Sequence, residues 1–249
     1  MSIRNQGEVF WKAWIGKLPA TIRERVGLVG VDEAARLAGV QPRTIKDWVR
    51  AEDKAMPKTV EQAIKEMGGV DAAAHAAGVK PRTIKGWLRN ERRGHTPGTR
   101  QAVHIGKLTD AAKQQHIASQ KPRGNQAKLA KAVVASPKAR QQAMSSRRAA
   151  RMSSSGAHLQ MNAKVIIDTG RRKDARWREI DMNFRDDIMA EPTQKFLNGD
   201  DAGALSKLGD AFGEHYAPGT GWQFGEVRSM SIGEFNPGRG GAFPDPDQY

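Results

Sequence analysis

The residues with the clearest chemical potential are the arginines and lysines of two near-identical strings. Residues 31–50 read VDEAARLAGVQPRTIKDWVR and residues 70–89 read VDAAAHAAGVKPRTIKGWLR, and the two share 14 of 20 positions. Guanidinium and ammonium groups bind the phosphate oxygens and base edges of duplex DNA. The strings therefore indicate contact with nucleic acid, provided that they fold into elements that present these cations together.

Each string has the pattern of a helix-turn-helix. A short helix with a face of alanines ends at a glycine, which adopts the left-handed conformation at a helix end more easily than other residues. A proline then begins the second helix, where the N–H that it lacks has no helical partner. With preceding helices predicted at 20–29 and 58–67, the chain has two three-helix units. The alternative interpretation is a pair of helical hairpins whose charges are only solvated.

Eight side chains at the start, middle and end of the two second helices are expected to contact DNA. The copies differ at Gln41 against Lys80 and at Asp47 against Gly86, where a helix inserted in the major groove meets the bases. The expected DNA-binding residues are Gln41, Arg43, Lys46, Arg50, Lys80, Arg82, Lys85 and Arg89. One chain would then read two adjacent half-sites.

Charge is distributed unevenly along the chain. Its 249 residues include 41 Lys+Arg and 27 Asp+Glu, which gives a net charge of +14. The net charge is +7 over residues 1–94, +11 over 95–155 and −4 over 156–249. The absence of cysteine excludes disulfides, thiolate zinc sites and cysteine nucleophiles. With no apolar run near the ~18–20 residues that span a bilayer, we expect a cytoplasmic, nucleoid-associated protein.

The composition predicts a multi-domain protein with an all-α tandem helix-turn-helix N-terminal region, a basic helical or disordered linker, and a small α+β C-terminal domain. The linker is interpreted as an arm that neutralises DNA or as a solvated tether, with a flexible hinge at Ser145–Ser155. The predicted domains are 1–94, 95–157 and 158–235, followed by a disordered tail at 236–249. The predicted elements beyond the repeats are helices at 100–115, 126–135, 186–197 and 202–216 and strands at 164–168, 176–184 and 226–235.

The order of these parts resembles a known family. The Arg-Thr-Ile-Lys-x-Trp helix, the basic stretch, the string at residues 165–169 (VIIDT) and the helix at 202–216 (AGALSKLGDAFGEHY) are similar to the telomere terminal proteins of linear actinomycete chromosomes and plasmids. Further matches are Asp174-Ala175-Arg176 with Ile180, and Glu226-Val227. The family usually has one helix-turn-helix, whereas this chain has two.

The resemblance implies a specific function. Such proteins bind telomeric DNA and become covalently joined to its 5′ ends through a side-chain hydroxyl that primes synthesis. Here Thr169 is the candidate hydroxyl, Asp168 would orient it or a metal, and Tyr216 and Thr220 are the reserves. The residues that would hold the incoming triphosphate are Arg171, Arg172 and Lys173.

The resemblance also implies partners. They are double-stranded telomeric DNA, with single-stranded telomeric DNA as a further candidate, a DNA polymerase and a telomere-associated protein. The chain would be a primer and substrate rather than a free-standing enzyme. No metal site or cofactor is expected in the chain, because its six histidines have no ligand spacing, and any Mg²⁺ would come with the polymerase.

Two other functions remain open at this point. The first is a helix-turn-helix transcriptional regulator or plasmid replication or partition protein, whose C-terminal domain dimerises. The second is a DNA-packaging protein, which would show a steep salt dependence without sequence preference.

Overall fold

The structure is a computed structural model that describes residues 6–120, 122–168, 173–184, 188–216 and 221–235. Within these ranges it is mostly helical, with a small antiparallel sheet near the C-terminus. This confirms the coarse layout predicted from the sequence. The elements are α1 (Gln6–Trp14), α2 (Ile22–Val29), α3 (Val31–Ala38), α4 (Pro42–Ala55), α5 (Val60–Glu66), α6 (Val70–Ala77), α7 (Pro81–Arg92), α8 (Thr99–Ser119), α9 (Gly124–Ala135), α10 (Pro137–Ala143), α11 (Ser146–Ser154), β1 (Ala157–Asp168), β2 (Lys173–Phe184), α12 (Ala190–Leu197), α13 (Asp201–Tyr216) and β3 (Gly221–Glu234).

Helices α2–α4 form a first unit and helices α5–α7 form a second unit with the same local design. A threonine caps the leading helix of each: the Thr21 hydroxyl accepts the Glu24 N–H, and the Thr59 hydroxyl accepts the Gln62 N–H. In both capping boxes the Glu or Gln side chain bonds back to the threonine N–H, so two orphan donors are satisfied. The helices predicted at 20–29 and 58–67 are confirmed as α2 and α5.

A left-handed glycine joins the second and third helices of each unit. Gly39 has φ 69° and Gly78 has φ 66°, a region that side-chain-bearing residues rarely adopt. The small residues before each glycine are almost completely buried, which lets the following helix approach closely. These residues are Ala34, Ala35 and Ala38 in the first unit and Ala73, Ala74 and Ala77 in the second.

The basic segment predicted as an arm folds onto these units in an inverted order. Helix α8 buries Leu108 and Ala112 in the core of the second unit. The chain then returns, and α9 buries Leu129 and Val133 in the core of the first unit. The segment has too few large apolar residues for a core of its own, but one apolar stripe per helix suffices to complete another core.

The flexible hinge predicted at Ser145–Ser155 is wrong. Residues Ser146–Ser154 form helix α11, and the Ser145 hydroxyl caps it by accepting the Arg148 N–H. The Arg148 guanidinium donates to the carbonyl oxygens of Ala13 and Ile232, and Met152 is buried against the sheet. Serines and arginines that indicate flexibility by composition are here a cap and a hydrogen-bond donor.

The sheet has the strand order β2-β1-β3, with both pairs antiparallel. Strand β1 begins at Ala157, seven residues before the predicted strand, and pairs in register from Ala157↔Phe184 to Asp168↔Lys173. One face of the sheet is apolar and packs against helices. Its buried residues on β1 are Ala157, Leu159, Met161, Ala163 and Val165.

Helix α1 belongs to the core of this sheet, although the predicted helix-turn-helix region, residues 1–94, includes it. The Trp14 ring stacks on Phe10 and on Phe196, with centroids 5.5 and 4.9 Å away. Its indole Nε1–H donates to the Thr193 hydroxyl at 3.1 Å. The N-terminal helix thus packs with an element almost 180 residues later in the chain.

A buried arginine joins the helices that cover the first unit to the sheet region. Arg140 of α10 is fully buried, and its guanidinium binds the Asp201 carboxylate of α13 at 2.7 Å. It also donates to the Phe196 carbonyl oxygen at 2.8 Å. A buried cation needs such partners, because an unpaired one is strongly destabilising.

Two further predictions concern the C-terminal tail and membrane-spanning helices. The tail at 236–249, predicted to be disordered, lies outside the described residues. Among the helices that the structure describes, none has the length and apolarity needed to cross a bilayer.

Candidate nucleic-acid interface

The candidate interface is carried by helices α4 and α7, which the two repeated strings form. Ile45 and Ile84 are fully buried and fix each helix against its own unit. Positions i, i+3 and i+7 share one face of an α-helix. The basic side chains at these spacings therefore project from a common face, opposite the buried isoleucines. They are Arg43, Lys46 and Arg50 on α4 and Arg82, Lys85 and Arg89 on α7.

All eight side chains predicted to bind DNA are exposed. Gln41 and Lys80 occupy the N-cap positions of α4 and α7 with nearly the same backbone, φ −74° and ψ 148° against φ −77° and ψ 148°. Neither side chain hydrogen-bonds to its own helix terminus. Both are thus available to an external partner at the end of the helix that would lead into a groove.

These cations are almost unneutralised by the protein. Asp47 lies 3.7 Å from the Arg50 guanidinium, and both side chains are mostly exposed. For the other basic residues of the set, the described part of the chain offers no carboxylate within ion-pair distance. An exposed stripe of unpaired cations attracts polyanions and is screened by salt.

The backbone of the turn sets the angle between the two helices of each pair. The Val40 N–H donates to the Ala35 carbonyl oxygen at 3.0 Å, and the Val79 N–H donates to Ala74 at 3.0 Å. These matching bonds close the same turn twice. Helices α4 and α7 consequently present their basic faces in the same orientation relative to their own units.

Two carboxylates that the sequence did not single out each join two helices within one unit. The Glu52 carboxylate of α4 accepts the N–H groups of Ile22 and Arg23 at 2.8 and 3.0 Å. In the second unit, Glu91 of α7 accepts the N–H groups of Val60 and Glu61 at 2.8 and 3.1 Å. Carboxylates at helix N-termini satisfy orphan donors and interact favourably with the helix dipole. Their offset of 39 residues would have revealed them if the repeat had been extended beyond Arg50 and Arg89.

The same two helix pairs carry an ion pair of opposite polarity. In the first unit, Arg23 of α2 binds Asp53 of α4, and this guanidinium lowers the pKa of the Asp53 carboxyl. In the second unit, Glu61 of α5 binds Arg92 of α7 at 2.5 Å. The arginine of the pair therefore lies on the leading helix α2 in the first unit. In the second unit it lies on α7, the basic helix that corresponds to α4.

Several residues of the predicted priming site lie outside the part of the chain that the structure describes. Thr169, Gly170, Arg171 and Arg172 lie outside the described residues, as does Thr220. Asp168 and Lys173 are the facing residues that end the β1–β2 pairing, and nothing is described of their side chains or that of Tyr216.

The sheet register nevertheless brings the segments that border these candidates to one end. Asp168 of β1 pairs with Lys173 on one side and with Gly221 on the other. Helix α13 ends at Tyr216, five residues before Gly221. The backbone next to Thr169, and the backbone next to Thr220, therefore meet at the same end of the three-stranded sheet.

Neither a metal cluster nor similarity to a known protein assigns a function to these surfaces. Among the residues that the structure describes, no group of three or more His, Asp or Glu side chains could hold a metal ion. No protein-family model, curated protein or solved structure matches this chain.

Proposed function

We propose that this chain is a sequence-selective DNA-binding protein in which α3–α4 and α6–α7 act as tandem helix-turn-helix modules. Helices α4 and α7 would enter the major groove, whose width admits one α-helix. The observation that carries the proposal is the exposure of all eight predicted DNA-binding side chains, six of which share a helix face opposite the buried Ile45 or Ile84.

The chemistry of the exposed face fits this role. Arginine binds guanine and phosphate in bidentate geometry, lysine binds phosphate as a point charge, and glutamine binds adenine. Two modules in one chain supply two recognition helices, which other helix-turn-helix proteins obtain by dimerising. The net charge of +14 adds a long-range attraction to DNA.

The more specific proposal is that the protein caps the ends of a linear replicon. It rests on the resemblance to telomere terminal proteins and is supported by the convergence of the candidate-bearing segments at one end of the sheet. There a hydroxyl, with Thr169 first and Tyr216 and Thr220 in reserve, would attack the α-phosphorus of an incoming nucleotide. A phosphodiester bond forms to the side-chain oxygen, pyrophosphate leaves, and the hydroxyl proton passes to a base or to solvent.

DNA binding is tested by selecting preferred duplexes from a random pool with the full chain. The double variant Arg82→Ala and Lys85→Ala is then compared with the parent by fluorescence anisotropy. Each lost phosphate contact is expected to reduce the slope of log K against log salt by about 0.9. The matched control is Lys12→Ala with Lys17→Ala, which removes the same charge from exposed positions outside both units. Equal losses in the two double variants would overturn the proposal.

End capping is tested with a labelled deoxynucleotide, a polymerase and a telomere-binding protein of a linear replicon. Mass spectrometry should find a nucleotide adduct on one hydroxyl, and Thr169→Val, Tyr216→Phe and Thr220→Val identify which one. Absence of an adduct under conditions that label an authentic terminal protein refutes end capping. Tight binding to an internal duplex without an adduct would instead indicate a transcriptional regulator or a plasmid replication or partition protein.

A further inference from the structure

The repeated strings differ at six of their 20 positions, and two of these differences, Gln41 against Lys80 and Asp47 against Gly86, change the charge at helices α4 and α7. Residues 41–54 carry four cations and three carboxylates, for a net charge of +1. The equivalent residues 80–93 carry six cations and one carboxylate, for a net charge of +5. Helices α4 and α7 begin with nearly the same backbone geometry and each buries an isoleucine, yet the two segments differ in net charge.

The inverted ion pair contributes to this difference. On α4 the member of the pair is a carboxylate, Asp53, whereas on α7 it is a guanidinium, Arg92. Since both pairs join the same two helices of a unit, either polarity is compatible with the fold. The inversion places the positive member of a neutral pair on α7 in the second unit and on α2 in the first.

Gly86 is the clearest sign that the difference is functional. A glycine inside a helix destabilises it by comparison with alanine. A Cβ added at Gly86 would meet nothing within 4 Å, and the residue does not have a positive φ. Neither packing nor backbone conformation requires this glycine, so its effect is to leave the middle of the α7 surface bare and uncharged.

Asp47 occupies the position equivalent to Gly86 and adds a negative charge to the surface of α4. Its carboxylate repels phosphate, and it lies next to the Arg50 guanidinium at 3.7 Å. A carboxylate in the major groove accepts a hydrogen bond from the cytosine amino group. It therefore weakens contact with DNA in general while favouring particular base pairs.

We propose that the two units divide the work of binding: the second unit anchors the protein to the phosphate backbone, and the first unit discriminates between base pairs through Gln41 and Asp47. This inference rests on the proposed DNA-binding function. Lys80 and the bare surface at Gly86 let α7 lie close to the backbone of any duplex. Gln41 and Asp47 supply a neutral and an acidic hydrogen-bonding group at the matching places of α4.

The test exchanges these two positions between the units in the full chain. Gln41→Lys with Asp47→Gly makes the first unit like the second, and Lys80→Gln with Gly86→Asp makes the second like the first. Affinity is measured by fluorescence anisotropy over a salt series, on the selected duplex and on a scrambled duplex of the same length. Circular dichroism of each variant establishes that it is folded.

The two exchanges are expected to have different effects. The first exchange strengthens binding to the scrambled duplex and reduces the ratio of the two affinities by about tenfold or more, because it replaces base-reading groups by a cation. The second exchange weakens binding to both duplexes by similar factors and reduces the salt slope by about 0.9. Gly86→Ala adds a methyl group to this surface but no charge, so it should weaken binding to both duplexes less than the second exchange does.

The possible failures can be told apart. If the parent chain binds neither duplex, the DNA-binding function itself is refuted. If the parent binds selectively but both exchanges change the affinity ratio equally, the function stands and the division between the units is overturned. The division is likewise overturned if only the second exchange alters the affinity ratio.

Discussion

The two units of this protein have the same internal design but different neighbours. Each has a capped leading helix, an alanine-faced helix, a left-handed glycine and a helix that begins at proline. Among the described residues, the first unit is completed by Trp11 and by residues of α9 and α10, whereas the second is completed by residues of α8. The comparison teaches that the repeated string determines the local geometry, and that the rest of each core comes from distant segments.

The largest expected effect is that of replacing Trp11, which should destabilise the first unit and not the second. Trp11 is 1% exposed and lies in the core of the first unit. Trp11→Ala should reduce the free energy of unfolding by about 3–5 kcal/mol, because it removes a large buried ring and leaves a cavity. Native-state hydrogen exchange should show faster exchange in α3 than in α6. The matched control is Lys12→Ala at the neighbouring exposed position, and equal acceleration in α3 and α6 would contradict the comparison.

A similar effect is expected for the leucines that cover the units. Leu108→Ala and Leu129→Ala should each lower the free energy of unfolding by about 2–5 kcal/mol, since both leucines are fully buried. Hydrogen exchange should become faster in α5–α7 for the first variant and in α2–α4 for the second. Val103→Ala is the control, because Val103 is 57% exposed on α8. If neither leucine variant affects a unit, the basic segment is a tether after all.

A smaller effect is expected at the carboxylates that cap the leading helices. Glu52→Ala and Glu91→Ala should each cost about 1 kcal/mol of stability, because two backbone N–H groups lose their acceptor. Urea unfolding measures the loss, and a glutamine at either position should recover part of it. Unequal losses would show that the two caps are not equivalent.

The smallest effect concerns the inverted ion pair. Arg23 lowers the pKa of Asp53 in the folded state, so the pair stabilises the fold above the pKa of the unfolded aspartate, near 4. This stability is lost as the pH falls through the lower folded pKa. Exchanging the pair, Arg23→Asp with Asp53→Arg, copies the polarity of the second unit and should preserve stability at neutral pH. Arg23→Ala alone should make the free energy of unfolding, measured with urea, depend less on pH in the acid range. An unchanged pH dependence would argue against the pairing.

Much of the helical part could be predicted from the sequence because its signals are local. Glycine at a helix end, proline at a helix start and apolar residues at helical spacing act over a few residues. The exposure of Arg43, Lys46 and Arg50 follows from the same spacing, since Ile45 must face inward. The exposure of these basic residues was therefore predictable from the sequence.

The parts that were mispredicted depend on contacts between distant segments. Nothing near Ser145 indicates that Arg148 will donate to carbonyl oxygens of α1 and β3. Strand β1 was predicted too short because Asn162 and Gln160 interrupt its apolar residues, although the buried positions alternate regularly. The priming site stays a prediction, because Thr169 and Thr220 lie outside the described residues.

By itself, the sequence determined that two copies of one helical module exist and which side of each basic helix faces solvent. Helical periodicity and terminal residues suffice for this, because both act within a few turns of chain. Only the tertiary structure decided that α8 completes the second unit, that α9 completes the first, and that α1 packs with the sheet. An apolar stripe indicates that one face of a helix must be buried. The partner that buries this face is selected by shape and by chain connectivity across the whole fold.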